Sequence, residues 1–152
     1  MRLHAAASLL MFLAPALSHA GVLLERAHSS GEIVPEMSSS AVCTITDTGE
    51  LETDYTAGGY LRSHRVQQLQ ISLTALRTTI AEAQKGELTS VEPFPVDGPS
   101  LRYRALRHFA DGRDVEVVLW EENGATGRKQ VNTSPAATRL RLFIDMNCGP
   151  LN

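Results

Sequence analysis

The sequence predicts an α+β domain: a small antiparallel sheet of about five strands, one central helix and a C-terminal helix. Three observations carry this. Short runs of period-two alternation are separated by Gly, Asp and Asn turn signals. One longer segment, 72–85, has apolar residues at helical spacing. A Ser-Pro pair at 134–135 then opens the closing segment as a helix start would.

The chain begins with a segment expected to lie outside the fold. Met1 and Arg2 make a short basic start, Leu9 to Ala14 lie in an apolar stretch, and Ser18-His19-Ala20 ends in small residues. Residues 1–20 thus read as a signal peptide, which places the remainder in a secreted or periplasmic setting. The stretch is too short, and too interrupted by Pro15, Ser18 and His19, to span a membrane. Residues 21–40 contain Ser29-Ser30-Gly31, Pro35 and three serines at 38–40, and are expected to be a flexible lead-in. A single domain is expected over 41–152.

Within it, 41–46 alternates as a strand, with Cys43 and Ile45 on one face. Asp47-Thr48-Gly49-Glu50 signals a turn and 51–56 a returning strand. Gly58-Gly59 breaks that strand, and 60–71 reads as a third extended segment with a bulge, because Val66 is out of phase with Leu69 and Ile71. The helix over 72–85 carries Leu73, Leu76, Ile80 and Ala83, with Ser72 as cap and Gly86 as stop. Residues 92–100 form a proline-rich connector. Strands follow at 101–105 and 115–121 around an Asp111-Gly112-Arg113-Asp114 turn. The second is apolar in both phases, which predicts cover on both faces. Residues 128–132 return after Asn123-Gly124. The last segment fits a strand through Leu140, Leu142 and Ile144 and a helix through Ala137, Leu140, Ile144 and Cys148. The Ser134-Pro135 opening and the Gly149 stop favour the helix.

Charge excludes one large class of function. Residues 21–98 hold 5 basic and 11 acidic side chains, and residues 99–152 hold 8 and 6. The cations are scattered, so a nucleic-acid surface is not expected. Cys43 and Cys148 are the only cysteines, and an even count in an exported chain predicts one disulfide. Their spacing is not that of a redox pair.

Candidate chemistry is sparse. Asp47-Thr48-Gly49 after an apolar strand matches the loop in which aspartic proteases carry a catalytic carboxylate, two copies sharing a proton. Gly112-Arg113-Asp114 echoes a second segment of that family. Glu50 and Asp111 depart from its pattern, and a helix stands where a flap hairpin belongs. Asp-Thr-Gly is also a common hairpin turn, because Asp bonds its own backbone and Gly takes positive φ. His28, His64 and His108 show no metal-ligand spacing in sequence. No Gly-x-Ser-x-Gly or phosphate-cradling loop is present, so no cofactor and no metal are expected. Pro93-Phe94-Pro95 sets an aromatic between two fixed φ angles, which suits either a recognition loop or a core plug on a connector.

The order of elements resembles that of emfourin, a family of small bacterial inhibitors of thermolysin-type metalloproteases. The likeness is one of pattern over 43–148. It rests on an early strand before Gly58-Gly59, the Leu73, Leu76, Ile80 and Ala83 helix, and a strand with Tyr103. A Gly112-led strand and the Ser134-Pro135-Ala136-Ala137 to Leu140-Arg141 close complete it. The leader and the paired cysteines are departures. The resemblance implies an inhibitor-like binding protein and carries over no contact residues. The expected function is therefore an exported binding protein of inhibitor or envelope-adaptor type with a protein partner. An Asp47 hydrolase and a structural envelope component are the alternatives.

Overall fold

In the computed structural model, residues 21–31, 34–91 and 98–150 are described. The expected leader, 1–20, and the Pro93-Phe94-Pro95 loop lie outside the described residues.

Hairpin turns decide the sheet. Residues β1 (Val22–Ser29), β2 (Ser39–Thr46), β3 (Glu50–Ala57) and β4 (Tyr60–Gln68) run as consecutive antiparallel neighbours. The β2–β3 and β3–β4 turns place Gly49, Gly58 and Gly59 at φ of +82°, +61° and +77°, where other residues are strained. After the helix come β5 (Leu88–Val91), β6 (Ser100–His108), β7 (Asp114–Asn123) and β8 (Arg128–Asn132). The strand order is β4-β3-β2-β1-β6-β7-β8-β5, antiparallel throughout. Among the described residues the sheet therefore has eight strands, not about five.

The largest correction concerns the lead-in. Val22–Ser29 is an inner strand joining the two halves of the sheet, between β2 and β6. A bulge between Val22 and Leu24 lets two successive leucines bury, Leu23 at 2% and Leu24 at 0% exposure. Of the serines and glycine that suggested mobility, Ser29 closes β1 opposite Ser40, Ser39 and Ser40 open β2, and Ser30, Gly31 and Ser38 flank the link through the 3-10 turn at Pro35–Met37. In β7 the apolar run over two phases also has a different cause from the one expected. The β6–β7 register slips, with Tyr103 opposite Trp120 and Arg104 opposite Val118, so Leu119 is an extra residue. Val117 and Leu119 are buried, and Trp120 reaches the guanidinium of Arg141 at 4.4 Å. A bulge, not two-sided cover, explains the pattern.

Helix α1 (Leu73–Ala83) crosses one face between the two edge strands, β4 and β5. The Ser72 side chain accepts from the Ala75 amide at 3.2 Å, satisfying an end group that the helix cannot. Helix α2 (Pro135–Cys148) opens as its sequence predicts, with Ser134 Oγ accepting from the Ala137 amide at 3.1 Å. Both helices pack together on the same side of the sheet. Leu76, Ile80, Ala83, Ala137, Leu140 and Ile144 meet Leu24, Ile45, Leu51, Ala105, Val117 and Leu119 there in one core. The turn after α1 needs Gly86, since a Cβ would stand 2.1 Å from Asn132 Oδ1. Asn132 itself is buried and donates to the carbonyls of Ala83 and Val118, tying α1 to β7 and β8.

The two cysteines are bridged. Cys43 on β2 and Cys148 at the end of α2 form a disulfide across 105 residues of sequence. Such a bond fits an extracellular or periplasmic location. Among the described residues, no helix is long and apolar enough to cross a membrane.

Candidate functional site

The last turn of α2 is held by charge as well as by sulfur. Arg26 on β1 is 5% exposed and its Nη1 donates to Asp145 Oδ1 at 2.9 Å. Its Nη2 donates to the Gly149 carbonyl at 2.9 Å, a cation placed at the negative end of the helix. The Tyr103 hydroxyl donates to the same Asp145 oxygen at 2.8 Å. Burial, then the Asp145 hydrogen bond and charge, push the tyrosine up to about 12, so it stays a donor. This cluster is structural, and it fixes the face opposite the one that remains bare.

The bare face is charged in an ordered way. Glu25 is opposite Arg104 in the β1–β6 register and Thr44 in the β1–β2 register. Its carboxylate accepts from Arg102 Nη2 at 2.9 Å and Arg104 Nη2 at 2.7 Å, and Arg104 also reaches Glu116 at 2.8 Å. Among the described residues no helix covers Glu25, yet the arginines and neighbouring strands leave it 8% exposed. Burial alone would raise its pKa, but the hydrogen bonds and charges of Arg104 and Arg102 outweigh that and hold it below the ordinary value.

Further along the same face, Glu52 is opposite Thr44 and Val66, and Asp54 is opposite Val42 and His64. His64 Nδ1 lies 2.7 Å from Asp54 Oδ1 and 3.7 Å from Glu52 Oε1. The Asp54 hydrogen bond raises the histidine's pKa. Sequence spacing could not show this cluster, because its members are ten and twelve residues apart and meet only across two strands.

Asp47 stands in the β2–β3 turn. Its amide donates to the Gly21 carbonyl at 2.8 Å, extending the β1–β2 pairing, and the Gly49 amide donates to the Thr46 carbonyl at 3.0 Å, closing the hairpin turn. The carboxylate borders a groove of about 630 Å³ between α1 and the end of β6, lined also by Leu23, Arg77, Arg107 and His108. His108 does not offer a free base there. Its Nδ1 bonds Asp114 Oδ1 at 2.6 Å and its Nε2 bonds the Val22 carbonyl at 2.8 Å. With both nitrogens facing acceptors, the charged ring is favoured: the Asp114 hydrogen bond raises its pKa despite burial, helped by Val22 and the charges of Asp114 and Asp47.

The flanks of the Pro93-Phe94-Pro95 loop are well placed even though the loop itself lies outside the described residues. Val91 ends edge strand β5 opposite Lys129. Gly98 packs so closely on Gly31 and Gly124 that a Cβ at either would stand 2.3 Å or 1.8 Å from its carbonyl oxygen. The Gly124 amide donates to Ser100 Oγ at 3.0 Å. Both ends of the loop are thus tied to one end of the sheet, beside the β7–β8 turn. Compared with known proteins, the chain matches no protein-family model and no curated sequence.

Proposed function

We propose that this chain is an exported, disulfide-braced binding protein of inhibitor or adaptor type that engages a protein partner through the loop at 92–97. The observation that carries the reading is the anchoring of that loop's two flanks. Val91 is held by strand pairing and Gly98 by close backbone packing, so a Phe94 presented between two prolines loses less freedom on docking. The likeness in element order to emfourin-type inhibitors supports the inhibitor form of this reading. The state of His108 also favours binding over hydrolysis, since both its nitrogens serve hydrogen bonds within the protein.

The test is capture of partners from the source organism's secreted fraction, together with titration against a thermolysin-type metalloprotease. Phe94→Ala and Asp47→Asn are run beside the wild type. An aromatic anchor predicts that Phe94→Ala weakens binding by about 2 kcal/mol, or about thirtyfold. An unchanged affinity in Phe94→Ala refutes the loop's role. Peptide hydrolysis at acid pH that vanishes in Asp47→Asn would replace binding with the hydrolase alternative.

A further inference from the structure

We propose that Glu52, Asp54 and His64 form a binding site for a divalent transition-metal ion of the zinc class on the bare face of β3 and β4. Their candidate ligand atoms, one imidazole nitrogen and two carboxylate oxygens, all lie within 4.8 Å of one another. A zinc ion bound at about 2.0–2.2 Å holds its ligands roughly 3–3.6 Å apart. The His64 separations of 2.7 and 3.7 Å bracket that span, and the two carboxylate oxygens lie within 4.8 Å of each other. The mixed imidazole and carboxylate set suits zinc and its neighbours better than calcium or magnesium, which take oxygen alone. Three protein ligands leave the remaining positions to water or to a donor from a partner.

Two features separate this cluster from an ordinary acidic surface. The first is charge. On the same face Glu25 is paired with two arginines and Glu116 with one. Among the described residues, the ion pairs of Glu52 and Asp54 are with His64 alone. Their register neighbours Val42, Thr44 and Val66 carry no charge, and the two nearby arginines are turned elsewhere. Arg62 Nε donates to the Ala57 carbonyl, and Arg65 sits opposite Thr53 with its Nη2 on Gln67. Among the described residues, two carboxylates thus meet with no arginine or lysine paired to them.

The second is register. A regular hairpin through Gly58-Gly59 pairs Ala57 with Tyr60 and Thr56 with Leu61, and would go on to set Asp54 opposite Ser63. Instead the pairing slips at Tyr55, leaving Arg62 as the extra residue and bringing His64 opposite Asp54. The bulge creates the cluster, as bulges often re-aim side chains at sites.

The site is tested on the whole protein with its disulfide intact, by calorimetric titration with Zn²⁺ in a non-chelating buffer and by amide chemical shifts. The expected result is one saturable site, with shifts confined to β3, β4 and the facing part of β2. His64→Ala and the double variant Glu52→Gln/Asp54→Asn should each weaken it at least about tenfold, the loss known even for supporting partners of a ligand. Glu121→Gln, on the same face but remote in register, should not. Because His64 must lose its proton to bind, affinity should also fall between pH 7.5 and pH 6.0. If His64→Ala fails to fold, His64→Gln and the wild-type shift map decide the matter. Absence of saturable binding overturns the proposal, as does equal binding in the variants or a shift map centred on His28 or His108.

Discussion

Removal of the Cys43–Cys148 bridge should lower stability by about 4.7 kcal/mol at 25 °C, the chain-entropy value for a loop of this length. The perturbation is Cys43→Ala/Cys148→Ala, with reduced wild type as the companion sample. The 105-residue separation sets the magnitude, because the bond restrains the unfolded chain over nearly all of the described fold. The native state should change little. The buried Arg26, the Tyr103 hydroxyl and Asp145 still hold the end of α2 after the sulfurs are gone. With a urea slope of about 2 kcal/mol per M, the midpoint should fall by about 2 M, and the slope should rise as the unfolded chain expands. Equilibrium urea unfolding followed by circular dichroism reads both. A midpoint shift below about 0.5 M in both samples would refute the reasoning, since it would mean that the bond restrains little.

Glu25→Gln should cost about 2 kcal/mol at pH 7, less than a fully buried pair because Arg102 and Arg104 are 40% and 24% exposed in their side chains. The carboxylate's pKa is lowered on folding, so its contribution is present above the ordinary carboxylate range and is lost as pH falls through the lowered value. The variant should therefore show a flatter acid limb in a pH series of urea midpoints, and an unchanged limb would contradict the assignment. His108 is shifted the opposite way. Its raised pKa means that the linked stability is full below the unfolded value and fades as pH rises through the folded one. In an NMR titration its midpoint should lie above 6.5, and Asp114→Asn should bring it down.

Legibility followed the range of the interaction. Ser72 and Ser134 could be read as caps because a helix start depends on residues within one turn, and both accept the amides three residues on. The turns at Gly49 and Gly58-Gly59 were equally local. Strand β1 was not legible. Its serine-rich flank dominated the composition, and a short apolar triplet does not announce which strands will flank it. The apolar run in β7 misleads for a related reason: a bulge at Leu119 mimics two-sided burial in one dimension. The Glu52, Asp54 and His64 cluster was hidden by the same kind of feature, since the pairing of His64 with Asp54 hangs on a one-residue slip at Arg62. The pairing register of Glu25 with Arg104 spans 79 residues, and no local pattern marks it.

By itself, the sequence determined an α+β chain with two capped helices, glycine-bearing hairpins and a pair of cysteines suited to bridging. Each of those follows from the conformational preferences of residues a few positions apart. Tertiary structure decided that the eight described strands share one sheet, that Val22–Ser29 lies inside it, and that Glu25 and the Glu52, Asp54 and His64 cluster occupy the face away from the two helices. The physical reason is that strand partners and bulges are chosen by packing across the whole sheet. A slip of one residue sends a side chain to the other face.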